Sequence, residues 1–127
     1  MSKTLGTYTA ILTDQSIAAD SAWTQSSSYV DISSVVGYIG LELKVKGSSS
    51  TLTDDVTLKV RPSLNGTTFC DADEGIPLAV INSAGTSYEV EVLAFDATPY
   101  DELAFYISNA DDTNAATVSL SYRTSSV

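Results

Sequence analysis

A chain of 127 residues with sixteen Asp and Glu against six Lys and Arg carries a formal charge of −10, and it contains no His and one Cys. So acidic a surface repels phosphate backbones and anionic lipid, which argues against nucleic acid and membranes as partners. Without His the commonest general base and transition-metal ligand are missing, and neither a Ser-His-Asp nor a Cys-His device can be built within one chain. Cys70 has no disulfide partner, and the stretch from Met1 to Gly6 lacks the apolar core of a signal peptide. The expectation is one domain over residues 1–127, folded in a cytosol.

Ser and Thr supply about a quarter of the residues. β-Branched and aromatic types fill most of the rest of the alternating positions, a mix that suits pleated, half-solvated sheets. In chain order, residues 7–12 form the first weak candidate strand, and residues 1–12 read as a first strand or an N-terminal arm. Residues 16–19 and 29–32 are short candidates around a polar segment that holds Trp23. Then comes strong period-two alternation: Ile39, Leu41, Leu43 and Val45 against Gly40, Glu42, Lys44 and Lys46. Val56, Leu58 and Val60 alternate with Thr57, Lys59 and Arg61. Pro62 is expected to end that strand, because it cannot donate to a ladder.

Asn65-Gly66 favours positive φ and predicts a hairpin tip returning through 67–70, with a further candidate strand at 76–81. Tyr88, Val90 and Val92 alternate with Glu89 and Glu91, the valines being expected inside and the glutamates outside. Leu103, Phe105 and Ile107, then Val118, Leu120 and Tyr122, complete the series. Each such strand has one apolar and one wet face, as antiparallel sheets require. Roughly eight strands punctuated by turn signals predict an all-β antiparallel sandwich with jelly-roll topology.

Little in this pattern points to catalysis. Asp54-Asp55, Asp71-x-Asp73-Glu74, Asp101-Glu102 and Asp111-Asp112 all fall in or beside loops. Paired carboxylates can cleave a glycoside or hold calcium, and Asp71, Asp73 and Glu74 are the best calcium candidates. The plainer reading is that acidic loops keep a β-protein soluble and discourage edge pairing. Cys70 reads as a packing thiol. No cofactor is expected beyond the calcium alternative, and the chain is not expected to be an enzyme.

Lys44, Lys46, Lys59 and Arg61 supply four of the six basic residues, all on outward faces of two strands consecutive in sequence. If those strands pair, they make a basic patch on an acidic body, with Glu89 and Glu91 as an acidic counterpart elsewhere. The reading for partner binding is that these residues dock an acidic surface; the alternative is ordinary cross-strand charge pairing. Trp23 reads either as a cap on the core or as an exposed platform for a sugar or a partner.

The order of features resembles small β-sandwich virion proteins of tailed bacteriophages. The likeness rests on an opening strand, the Ser/Trp segment leading to Tyr29-Val30-Asp31-Ile32, and the run from Gly37 to Leu43. It continues through Val56 to Arg61 and the hairpin signature Ser63-Leu64-Asn65-Gly66-Thr67-Thr68-Phe69. The resemblance implies a capsid decoration (cement) protein, with a neck, tail or fibre component as the lesser option. It also implies a homo-oligomer, often a trimer, made in the host cytoplasm, binding a major capsid or other virion protein and residing in the virion. The competing class is a carbohydrate-binding or adhesion module acting through Trp23 or loop tyrosines, with calcium as an option.

Overall fold

Strands that alternate apolar and polar residues each have a face that must be covered, and here two sheets cover one another. The computed structural model describes residues 4–126. Its strands are β1 (Thr4–Leu5), β2 (Thr9–Ile17), β3 (Ser21–Thr24), β4 (Val30–Asp31) and β5 (Tyr38–Gly47). β6 (Asp55–Ser63), β7 (Ile76–Asn82), β8 (Glu89–Asp96), β9 (Glu102–Asn109) and β10 (Ala116–Ser126) follow. One sheet runs β2-β10-β5-β8 and the other β3-β9-β6-β7, with every pairing antiparallel. β1 extends the β2 edge along β10, and β4 extends the β3 edge along β9. Two four-stranded sheets interleaved in this order are a jelly roll, as the alternation and turn spacing predicted. Of the N-terminal residues read as an arm or first strand, 1–3 lie outside the described residues; β1 and the start of β2 pair with β10.

The core follows from the pleat. Ile39, Leu41, Leu43 and Val45 of β5 meet Val56, Leu58 and Val60 of β6, Leu103, Phe105 and Ile107 of β9, and Val118 and Leu120 of β10 in one buried cluster. Each such side chain contributes roughly 1.5–3 kcal/mol by leaving water. Gly47 closes β5 because a Cβ there would lie 1.7 Å from the Ser50 carbonyl oxygen. That tight corner lets Leu52 turn inward, its N–H donating to the Ala84 carbonyl at 2.8 Å.

Four expectations need correction. Pro62 does not end β6: it pairs with Leu103 of β9, and Ser63 continues the ladder. The ladder with β7 runs only from Asp55 to Val60, so Pro62 has a neighbouring strand on one side alone, where a missing N–H is tolerated. The Asn65-Gly66 turn forms, with Gly66 at φ 78° and Asn65 Oδ1 accepting from the Thr67 and Thr68 N–H groups at 2.9 and 2.8 Å. Residues 67–70 nonetheless do not return as a strand; β6 is rejoined only by β7, after a 3-10 turn at Ala72–Glu74. Cys70 is exposed rather than packed.

The fourth correction concerns β8, whose faces are opposite to the expectation. Glu91 pairs with Leu43 and Glu89 with Val45, so the glutamates share the inward side, and Val90 and Val92 point outward beside Lys44 and Glu42. Leu93 and Phe95 decide the parity, since both pack against the core. At the edge of the sheet the two glutamates still reach solvent.

At one end of the sandwich, buried Asp111 ties the β9–β10 loop to the β5–β6 loop. Its Oδ2 accepts from the Thr53 N–H at 2.6 Å, and its Oδ1 accepts from the N–H groups of Thr113 and Asn114 at 2.8 and 2.7 Å. Asn109 supports it, accepting from the Asp111 N–H at 3.1 Å and donating to the Asn114 carbonyl at 3.0 Å. Backbone N–H groups from Thr53, Asn114 and Thr113 hold the Asp111 carboxyl far below the usual carboxylate range. A depressed native pKa stabilises the fold above the unfolded value of 3.8 and ceases to do so as pH falls through the native value. Asp111→Asn is therefore expected to lower Tm at neutral pH by roughly 5–10 °C. Thermal melts from pH 7 to pH 2 should show the gap between wild type and variant narrowing as pH drops below about 4.

Candidate functional site

The four basic residues singled out in the sequence do not form one patch. β5 and β6 belong to different sheets, so Lys44 and Lys46 lie on one outer surface of the sandwich and Lys59 and Arg61 on the opposite one. Consecutive strands of a jelly roll alternate between sheets, which is why proximity in sequence misled.

Lys59 and Arg61 are committed to their own loop. Lys59 Nζ donates to the Asp73 carbonyl at 2.7 Å, and Arg61 Nε donates to the Cys70 carbonyl at 3.0 Å. A second Arg61 nitrogen donates to the Gln25 carbonyl at 3.3 Å, and the guanidinium carbon sits 5.8 Å from the centroid of Phe69, which in turn packs on Tyr29 at 4.5 Å. The two cations fasten the β6–β7 loop over the outer face of their sheet. Asp71, Asp73 and Glu74 ride on that loop, all exposed. Among the described residues no three His, Cys, Asp or Glu side chains gather as metal ligands would. The Asp111-Asp112 pair is not a paired site either: both Asp111 oxygens are occupied by backbone donors, whereas Asp112 is exposed.

The outer face of the β2-β10-β5-β8 sheet is different in kind. Lys44 Nζ lies 3.7 Å from Glu42 Oε1, a half-exposed pair worth under about 1 kcal/mol. Lys46 Nζ stands 4.7 Å above the Tyr88 ring. The Tyr88 hydroxyl donates to Asp14, which also accepts from the Ser119 hydroxyl at 3.3 Å. The Tyr88 hydroxyl, followed by Ser119, Lys46 and Lys44, holds the Asp14 carboxyl below its ordinary range, whereas partial burial and then Asp14 push the Tyr88 phenol up. Tyr8 donates to Glu42 from the other side. Around this polar lattice stand Val92 at 72%, Tyr38 at 60%, Val90 at 52% and Tyr8 at 50% exposure. A shallow apolar depression of about 210 Å³ lies between Tyr8, Glu42, Val92 and Arg123. Alternation alone did not find this face; the parity of Leu93 and Phe95 was the available signal.

Trp23 of β3 pairs with Ile107 and packs its ring on the core, so it caps one end of the cluster. It also lines a groove of about 300 Å³ at the edge where β2 of one sheet and β3–β4 of the other part. Gln25 walls that groove as a polar splice, its Oε1 accepting from the Phe105 N–H at 3.1 Å and its Nε2 donating to the Ser28 carbonyl at 2.9 Å.

These features lie on a fold that is a jelly-roll β-sandwich. No protein-family model matches the chain, and no curated protein matches it in sequence. Several solved structures share its architecture. A chain of infectious bursal disease virus Gx strain superposes with a TM-score of 0.64 at 12% identity, over 97% of this chain and 32% of its own. The vertex protein P5 of PRD1 does so with a TM-score of 0.52 at 14% identity, over 86% and 85%. The CBM22-1 xylan-binding domain of Paenibacillus barcinonensis Xyn10C gives 0.53 at 11% identity, over 76% and 62%. The chain thus spans under two thirds of the length of the first and third. At such identities the likeness is one of fold, shared by viral proteins and a carbohydrate-binding domain alike.

Arg61→Ala should free the β6–β7 loop and cost roughly 1–2 kcal/mol from lost charge-assisted hydrogen bonds. Hydrogen exchange is expected to rise across residues 64–75, with β5 and β10 unchanged, and Arg61→Lys should not restore protection, because one ammonium cannot span both carbonyls.

Proposed function

We propose that this chain is a non-enzymatic virion structural protein, a capsid decoration (cement) protein that binds the outside of a bacteriophage head as a homo-oligomer. The observation that carries this reading is the outer face of the β2-β10-β5-β8 sheet. It sets exposed Val90, Val92, Tyr38 and Tyr8 among charges that cancel: Lys44, Lys46 and Arg123 against Glu42, Asp14 and Asp96. On a chain of charge −10, a locally neutral and apolar face is where a second, equally acidic copy or a capsid subunit can approach without repulsion. Exposed apolar side chains clustered on one face mark contact surfaces rather than solvated ones. The sequence resemblance to small phage virion proteins supports the same reading, and so does the shared architecture with two viral proteins. Lys44 and Lys46 keep a role in docking; Lys59 and Arg61 lose theirs, because they hold the loop.

Light scattering on the purified chain is expected to give a mass above the monomer, and the chain should co-sediment with phage heads stripped of their decoration. Val92→Glu, at a solvent-facing position, should leave Tm unchanged and weaken both associations at least tenfold, equivalent to about 1.4 kcal/mol. A wild-type chain that stays monomeric and sediments with no capsid shell would sink the reading.

A further inference from the structure

The groove between β2 and the β3–β4 edge departs from the rest of the surface in one respect: none of its lining residues is charged, on a chain of net charge −10. It is lined by aromatic rings and hydroxyls together, with Trp23, Tyr29 and Tyr122 beside Thr24, Ser27 and Ser28. The rings of Trp23 and Tyr122 pack inward against the core, so they form the boundary between the core and the groove. They are fixed by the sandwich rather than by a loop, which lowers the entropy lost when a ligand settles on them.

Two donors there are unused within the described residues. The Trp23 indole N–H and the Tyr122 hydroxyl have no hydrogen-bond partner among them, and no side-chain nitrogen or oxygen that is buried lacks one. Neither group is therefore a fully buried one. The Tyr29 hydroxyl donates to the Ser26 carbonyl at 3.0 Å and keeps its lone pairs for a further donor.

We infer that this groove binds an uncharged saccharide. A ligand with an apolar C–H face and a ring of hydroxyls matches rigid aromatic surface interleaved with free donors and acceptors. An anion would meet no cation among the lining residues and the repulsion of a chain of charge −10, and a metal ion would find no carboxylate among them. A purely apolar ligand would leave the indole N–H and the serine hydroxyls without partners, which costs more than the contact returns. The volume, about 300 Å³, sits at the lower end of small-molecule sites (roughly 300–1,000 Å³) and suits one or two sugar rings. The inference is independent of the virion reading, since a particle protein and a free adhesion module can carry the same groove.

Trp23 is the single tryptophan, so its emission reports on this groove alone. The test is an array of uncharged and anionic oligosaccharides probed with the intact chain, each hit being titrated by tryptophan fluorescence. Uncharged glycans are expected to shift Trp23 emission saturably, with anionic analogues of the same length binding at least tenfold more weakly. Calorimetry on Trp23→Phe, which keeps a ring against the core, should show at least a fivefold loss of affinity, and Ser27→Arg, at an exposed position, should show a loss of similar size. Circular dichroism of both variants should be unchanged. The inference is overturned if no uncharged glycan moves the emission, if anionic glycans bind equally well, or if both folded variants bind as the wild type does.

Discussion

The commitment of one face of every long strand to a shared core governs the rest of this molecule. Once Leu41, Leu43 and Val45 are buried against the residues of β6 and β9, the pleat leaves Glu42, Lys44 and Lys46 on the opposite side with no freedom to turn in. A one-residue slip would bury both lysines, so the register is held by the cost of desolvating two ammonium groups as well as by packing. Recognition is therefore confined to the two outer faces, the free edges and the ends where loops meet.

Those surfaces use their few cations in two ways. Lys59 binds a carbonyl oxygen of the β6–β7 loop and Arg61 binds carbonyl oxygens of that loop and of Gln25, so their charge is absorbed into local order. Lys44 and Lys46 stand in a lattice with Glu42, Asp14 and Tyr88 that crosses β2, β10, β5 and β8. The hydrogen bonds of that lattice fix where the charges stand without removing them from solvent. What the lattice gives the exposed valines beside it is a rigid, locally neutral frame, which an isolated apolar patch on a repulsive acidic body would lack.

Much of this fold was legible in the residues, and the gaps have physical causes. β5, β6, β9 and β10 have both neighbours in the sheet along most of their length, so their alternation is strong and their faces unambiguous. β8 has one neighbour, and its first half alternates Glu with Val in a pattern that fits either face; only Leu93 and Phe95 break the tie. β3 escaped notice because Trp23 is its one large apolar side chain, and the strand is sustained by β9 and by the Gln25 splice instead. The supposed basic patch failed for a topological reason, since no local property of β5 and β6 says that the chain crosses between sheets there. Trp23 was legible as a residue of interest, but the groove beside it joins residues far apart in sequence and could emerge only from the fold.

The two surfaces proposed to act open in different directions, set by the same topology that creates them. The apolar face runs from Val90 and Val92 of β8 across to Tyr8 beside β2, whereas the neutral groove opens at the β2 edge of the same sheet. Three strand spacings lie between β8 and β2, about 14 Å at roughly 4.8 Å per strand. A copy or a shell subunit docked over Val90 and Val92 covers the flat outer side of the sheet, whereas the groove opens sideways between the two sheets. Docking that held the chain by its β8 side would thus leave Trp23 and Tyr29 facing outward. Because Trp23 also packs on the core, an occupant of the groove would rest on a wall that the buried cluster supports.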